Sequence, residues 1–246
     1  MKTEKIIEVK NLNKKFGTFT AVNAISFEVY KGEIFGFLGA NGAGKTTAMK
    51  MLIGISKPSS GEAWVAGYEV QNNTEKVKKS IGYMSQKFSL YNDLTVQENI
   101  AFFGGIYGLS NTQIKHKTAQ LLLALSLEDK ANELVGNLPL GWKQKLAFSV
   151  ALLHDPKIVF LDEPTGGVDP ITRRQFWEMI YAQAHKGTTI FVTTHYMDEA
   201  EYCDRVSIMV DGKIAALDTP KNLKQHYQAR SMNEVFLQLA RKKNNS

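Results

Sequence analysis

A chain of 246 residues with a net charge of +6 can bury one good core with an attached lobe, but hardly two independent nucleotide-binding units. Its basic residues are scattered, apart from Lys76 to Lys79 and Arg241 to Lys243, which speaks against a dedicated nucleic-acid binder and suits a protein beside an anionic membrane surface or in free solution. A single cysteine, Cys203, excludes an internal disulfide, no Cys/His spacing resembles a zinc site, and a reducing cytosol fits best.

The N-terminal run MKTEKIIEVK lacks the long apolar core of a signal peptide. No stretch approaches the length needed to cross a bilayer, so any membrane crossing is expected in another chain. Apolar and polar residues alternate in Ile7 to Lys10 and in Ala24 to Val29, predicting two half-buried antiparallel strands, the second closed by Lys31-Gly32-Glu33. Ile34 to Leu38 is apolar nearly throughout, the pattern of a strand inside a parallel sheet.

Directly after that strand, Gly39-Ala40-Asn41-Gly42-Ala43-Gly44-Lys45-Thr46 is a complete P-loop, leading into a helix-forming stretch from Thr47 to Ile53. Glycines there let successive backbone N–H groups approach phosphate oxygens, and the following helix points its positive end at the same anion. Lys45 is expected to reach the β- and γ-phosphates, Thr46 to offer its hydroxyl to Mg²⁺, and Thr47 to donate to the phosphate nearest the ribose.

Further along, Thr95-Val96-Gln97-Glu98 is a capping box that starts a helix through Ile100, Phe102 and Phe103. Helical patterning returns in Gln113 to Leu125 and Gln144 to Leu153, interrupted at Gly136-Asn137-Leu138-Pro139. Phe102, Phe103 and Tyr107 are expected in the core of this helical region, and Cys203 as a small buried apolar residue. Ile158 to Leu161 and Ile190 to Thr193 read as further buried strands. The tail after Pro220 carries Val235, Phe236, Leu237 and Leu239, enough for a short docking helix before a frayed basic end.

The expected fold is therefore α/β: a P-loop NTPase core with a mixed, mainly parallel sheet, an N-terminal antiparallel β layer and an inserted helical subdomain. Residues 1–90 and 154–220 would form the core, 91–153 the helical subdomain and 221–246 the tail of a single domain.

A P-loop alone does not separate kinases, GTPases, motors and transport ATPases, so the remaining motifs decide. The strand Ile158 to Leu161 ends in adjacent carboxylates, Asp162 and Glu163, which strand alternation should aim in different directions. Asp162 is expected in the Mg²⁺ shell, and Glu163 as the base that polarises the water attacking the γ-phosphate.

With that pair the chain resembles the ATP-binding cassette family, the nucleotide-binding subunits of ABC transporters, along nearly its full length. The resemblance implies that Gln86, in Gly82-Tyr83-Met84-Ser85-Gln86, is the Q-loop residue linking the metal site to the helical subdomain and a membrane partner. It implies further that Gly166-Gly167-Val168-Asp169 is the D-loop, that His195 is the switch histidine, and that Phe16 stacks on adenine.

The family signature, Leu-Ser-Gly-Gly-Gln at a helix start, reads Leu138-Pro139-Leu140-Gly141-Trp142 here. Pro139 removes the serine hydroxyl and a backbone N–H, yet suits a first helical turn, and Gly141 keeps the second glycine. This form is similar to that of ABC-2-type multidrug exporters. The resemblance therefore implies an ATP- and Mg²⁺-dependent hydrolase, peripheral on the inner face of the cell membrane. It would drive export of a drug-like or lipophilic compound through a separate integral permease, as a homodimer or paired with a related cassette, with no direct nucleic acid partner. A soluble ABC ATPase acting on ribosomes or DNA is the competing class, but such proteins usually carry two cassettes or long coiled coils, and no heptad pattern appears. A GTPase or nucleotide kinase fits less well, because a guanine-selecting Asn-Lys-x-Asp element is missing.

Overall fold

In the computed structural model, which describes residues 4–86 and 90–242, the strands assort into two sheets. The first is an antiparallel layer of β1 (Lys5–Phe16), β2 (Phe19–Tyr30), β4 (Ser60–Val65) and the short β5 (Tyr68–Glu69), in the order β2-β1-β4-β5. β1 and β2 each run for 12 residues, well beyond the alternating stretches expected. Register shifts between Val9 and Leu12, where Asn11 takes a left-handed φ of 47°, break the two-residue period and hide the continuation of β1 from a pattern reading.

The second sheet has the order β10-β9-β3-β8-β7-β6, built from β3 (Ile34–Gly39), β6 (Ile81–Met84), β7 (Ile158–Asp162), β8 (Thr189–Thr194), β9 (Arg205–Val210) and β10 (Lys213–Asp218). All neighbours are parallel except β9 and β10. Helix α1 (Lys45–Leu52) lies between the two sheets, burying Ala48, Met49 and Leu52. α2 (Thr74–Ser80) precedes β6. The opposite face of the large sheet is covered by α3 (Val96–Ile106), α4 (Asn111–Leu125), α5 (Leu140–Ala151) and α6 (Pro170–His185), with α7 (Pro220–His226) and α8 (Met232–Lys242) closing the chain.

Strand alternation sorts the core into two compartments. Phe35 and Phe37 of β3, Phe160 of β7 and Phe191 of β8 face the antiparallel layer, where Phe191 lies 5.4 Å from Phe37 and 5.2 Å from Phe160, and Phe27 stacks on Phe35 at 5.6 Å. Ile34 and Leu38, Val159 and Leu161, and Ile190 and Val192 face the helices instead. The same period carries Asp162 and Thr193 to the α1 side, which aims both at the start of that helix.

Local signals explain the helix starts. Thr95 caps α3 with both arms of its capping box in place, and Ser110 with Gln113 does the same for α4. α6 was not among the expected helices, although Asp169 followed by Pro170 is its start signal: the Asp169 carboxylate accepts from the amides of Ile171 and Thr172. α5 begins at Leu140, four residues earlier than its patterning suggests, and Pro139 is its N-cap, outside the first turn. A proline cap offers no side-chain acceptor, so the first amides of α5 are left without the partner that a serine would supply.

Two further expectations meet the packing. Phe102 is not core: it is 42% exposed and meets Tyr91 edge-on at 4.9 Å, because the helical face that carries it turns away from the sheet, while Phe103 and Tyr107 are half-buried. The tail docks, with Met232 and Val235 of α8 buried against β9 and the segment before it. Lys243 of the basic end and the last residues of the tail lie outside the described residues.

The helical layer is pinned to β6 by His154, whose Nε2 lies 2.9 Å from the Ile81 carbonyl while its ring stacks on Tyr107 at 3.9 Å. Burial holds this imidazole below its ordinary 6.5, so the unfolded chain takes up the proton more readily than the folded one. Stability from His154 is thus complete above pH 6.5 and is lost as pH falls through the lower folded value. Thermal melts from pH 7.5 to 5 should show a smaller acid-side decline for His154→Gln than for the unaltered protein; parallel declines would contradict this.

Candidate functional site

The C-terminal ends of β3, β7 and β8 lie side by side, and the loops leaving them build the site. After Gly39 the chain wraps back to start α1 at Lys45. Two glycines are required by contact. A Cβ at Gly39 would stand 2.5 Å from the Met209 carbonyl, and one at Gly44 would stand 2.4 Å from the Ala21 carbonyl with φ at +101°. The loop is therefore clasped between β9 and β2.

Lys45 is 4% exposed, and its Nζ donates to the carbonyls of Gly39 at 2.8 Å and Ala40 at 3.1 Å. The same ammonium stands 3.4 Å from Glu163 Oε1. Burial pulls its pKa down, and the charges of Glu163 and Asp162 oppose the drop.

Asp162 ends β7 and is 2% exposed. Its Oδ1 accepts from Thr193 Oγ1 at 2.6 Å and from Thr46 Oγ1 at 3.1 Å, which joins β7, β8 and the first turn of α1 through one oxygen. Burial, with the Asp162 charge adding, pushes the Tyr83 phenol up to about 12.

Glu163 is separated from Asp162 by more than strand alternation. β7 has ended, and Glu163 takes a left-handed φ of 49°, a conformation that costs a non-glycine residue on the order of 1 kcal/mol. Its amide donates to the Thr193 carbonyl and hydroxyl, each at 3.1 Å, which holds the turn. The carboxylate becomes a hub: Oε2 accepts from Gln86 Nε2 at 2.9 Å and lies 3.0 Å from His195 Nδ1, while Oε1 faces Lys45. Residues 45, 86, 163 and 195, far apart in sequence, thus share one carboxylate.

The P-loop cavity, about 390 Å³, is lined by Asn41, Gly42, Gly44, Lys45, Thr46, Thr47, Gln86 and Glu163, together with Phe19 and Ala21. Phe16 does not line it. Phe16 pairs with Phe19 across the β1–β2 turn, is 55% exposed, and has the Lys14 ammonium 5.1 Å from its ring. Phe19 and Thr193 were not among the expected site residues: a strand aromatic and a strand threonine carry no local mark, and only the sheet register brings them here. Ala43 is buried and its amide bonds the Ala40 carbonyl.

Of the remaining expected residues, Leu140 reaches the edge of this cluster within one chain, lining a small cavity of about 200 Å³ with Gln86 and Glu163. Leu140 and Gly141 line a second cavity of about 340 Å³ with Trp142, Gly167 and Asp169, whereas Leu138 is buried in the helical-side core. Gly141 packs so closely on α6 that a Cβ would meet Thr172 at 2.6 Å. Asp169 is engaged by its own helix, and its hydrogen bonds from Thr172 and Ile171 hold it below the usual carboxylate range.

The oxygen set beside Lys45 suits a small hard cation. One threonine hydroxyl and one carboxylate converge on it, and among the described residues no group of three His, Cys, Asp or Glu side chains forms a self-sufficient metal cage. Mg²⁺ is ordinarily held in that incomplete way, with substrate phosphates completing its shell.

The sequence pattern described as "ABC transporter" matches residues 22–166. The chain is 47% identical over 241 residues to the probable multidrug ABC transporter ATP-binding protein YbhF of Escherichia coli (strain K12), a match covering 96% of this chain and 42% of that protein. It therefore spans less than half the length of that relative. It is 37% identical to the linearmycin resistance ATP-binding protein LnrL of Bacillus subtilis (strain 168), over 89% of this chain and 70% of that one. A solved structure described as the ATP binding subunit of an ABC transporter superposes with a TM-score of 0.85 at 30% identity, covering 95% of this chain and 99% of the other.

The clasp around the loop has a measurable consequence. Gly44→Ala, which combines a backbone clash with a positive φ, should lower unfolding stability by about 2 to 4 kcal/mol. Gly17→Ala meets a positive φ but open space, and should cost about 1 kcal/mol in the same urea titration. Equal losses would show that the contact with Ala21 is unimportant.

Proposed function

The chain belongs to the ABC transporter family, and on that footing we propose that it binds ATP with Mg²⁺, hydrolyses it between two paired cassettes, and thereby drives export of a drug-like or lipophilic compound through a separate membrane permease. The observation that carries this reading is the shared Glu163 carboxylate, held among Lys45, Gln86 and His195 beside the Thr46–Asp162 pair.

The roles follow from that arrangement. The P-loop amides and Lys45 bind the phosphates, Lys45 leaving its carbonyl partners for the stronger charge-assisted contact with phosphate oxygens. Mg²⁺ held by Thr46 and Asp162, near Gln86, would neutralise charge on the β- and γ-phosphates. Glu163 takes a proton from the water that attacks the γ-phosphorus as the bond to the bridging oxygen breaks, and His195 orients Glu163 and the terminal phosphate. Thr193 fixes Asp162 through the same oxygen that accepts from Thr46.

The Phe16–Phe19 pair is proposed as the platform for the adenine ring, Phe19 from the cavity wall and Phe16 from its rim. The phosphates bound by one chain would be capped by the Leu138 to Trp142 segment and Asp169 of a second cassette. Within one chain Leu140 also borders Gln86 and Glu163, whereas Gly141, Trp142 and Asp169 line a cavity that shares no residue with the P-loop one, which supports a paired arrangement. The uncapped start of α5 keeps its amides and dipole for an anion even without the serine hydroxyl.

Among the described residues no helix is long and apolar enough to cross a membrane, so the spanning role is assigned to a partner. The exposed Tyr91, Phe102 and Ile106 on the helical lobe are the surface we assign to that permease. On the same reading the chain is placed peripherally on the inner face of the membrane.

Glu163→Gln should leave nucleotide binding intact, lower hydrolysis by roughly 10²- to 10⁴-fold and accumulate an ATP-bound dimer on a sizing column. Hydrolysis at the ordinary rate would place the base elsewhere. Lys45→Ala should abolish tight binding of MgATP in a fluorescent-nucleotide titration. In that assay Phe19→Ala should weaken binding roughly tenfold, the scale of one aromatic–base stack. If Phe16→Ala alone has this effect, the base lies at the rim and not along the cavity wall.

A further inference from the structure

Glu199 is a fully buried carboxylate outside the nucleotide site, on the 3-10 turn Met197–Tyr202 that follows the switch segment. Its Oε1 accepts a short hydrogen bond from Thr165 Oγ1, and Arg173 Nε lies 3.7 Å away. Its Oε2 has no hydrogen-bond partner among the described residues. A buried, under-satisfied carboxylate lowers the stability of the fold that keeps it, and an apolar side chain of similar volume would ordinarily serve a core better. Its neighbours explain its presence.

Thr165 stands two residues beyond Glu163, and Glu199 four residues beyond His195. The Thr165–Glu199 bond therefore runs alongside the Glu163–His195 contact, a second tie between the loops that leave β7 and β8. Arg173 adds a third component: it belongs to the first turn of α6, its guanidinium lies 4.2 Å over the Tyr196 ring, and Tyr196 packs at 4.2 Å on His195. The Tyr196 amide is in turn fixed by Thr194 Oγ1 at 3.0 Å.

We propose that Thr165, Glu199 and Arg173 form a positioning brace that sets the imidazole of His195 against Glu163 and ties its orientation to α6, the helix that Asp169 caps. None of the three residues lines the P-loop cavity. The brace rests on the reading above that Glu163 and His195 act on the terminal phosphate, and it adds the element that holds them in register. Movement of the Asp169 loop would reach His195 through Arg173 and Tyr196.

The test compares Thr165→Val, which keeps shape and removes the hydroxyl, with Thr165→Ser, which keeps the hydroxyl, and Glu199→Gln, all in the full chain. The brace predicts that Thr165→Val and Glu199→Gln lower kcat by about tenfold while the KM for ATP stays within about twofold, and that Thr165→Ser restores the rate. It also predicts that both impaired variants shift the His195 ring resonance in ¹⁵N-histidine spectra, assigned by its loss in His195→Gln. An unmoved His195 resonance in variants whose melting temperature alone has fallen would overturn the proposal, as would an unchanged kcat where Glu163→Gln has proved inactive. Should Thr165→Val fail to fold, Arg173→Lys, on a partly exposed side chain, must still shift the His195 resonance. The spectra need no turnover, so they decide the brace even if Glu163→Gln proves fully active and the hydrolytic reading fails.

Discussion

Three parallel strands, β3, β8 and β7, end level with one another, and their adjacency places Lys45 and His195 around the Glu163 carboxylate. In that position an ammonium and a carboxylate are both nearly removed from water, an arrangement whose desolvation cost is recovered only if each polar atom finds a partner. Lys45 finds the Gly39 and Ala40 carbonyls, and Glu163 finds Gln86 and His195. Neither side chain would be stable there alone. The aromatic compartment beneath, from Phe27 to Phe191, supplies the packing that keeps the strand ends in register under this load.

Charge on one side of the sheet is balanced by geometry on the other. The helix that follows the phosphate loop is held at its start by backbone contacts to β2 and β9, so the loop's shape is set before any anion arrives. Preorganised amides of this kind bind phosphate without spending free energy on rearrangement. Glu163 is preorganised likewise, since its left-handed turn is held by two hydrogen bonds to Thr193. Rigid donors and a rigid acceptor on adjacent loops are what phosphoryl transfer requires, because little of its barrier is lowered by covalent chemistry from the protein.

The helical lobe works under other constraints. α5 starts with a proline cap and packs through Gly141 onto Thr172 of α6, so the Leu138 to Trp142 segment is in direct contact with the helix that the Asp169 loop starts. Gln144, buried at 3% exposure, strengthens this by donating to the Gly166 carbonyl at 3.1 Å. A hydroxyl lost at position 139 removes one donor, but the helix, its dipole and its attachment to the Asp169 loop persist.

Much of this was legible along the chain. Contiguous motifs announce themselves: the phosphate loop between an apolar strand and a helix, the Asp162-Glu163 pair at a strand end, and the capping box at Thr95 each depend on residues only a few positions apart. Other features depend on distance in the fold. Bulges hid most of β1 and β2, and the exposed face of α3 could not be told from its buried one at Phe102. Phe19, Thr193, Thr165 and Glu199 carry no local pattern, because their roles arise from residues that only the fold brings near them. The sequence by itself determined the kind of chemistry and the strands and helices that bear it, since those rest on short-range periodicity and on side chains whose charge is intrinsic. Only the tertiary structure decided which side chains share an oxygen, since hydrogen bonds act over about 3 Å and only folding brings loops from separate strands within that range.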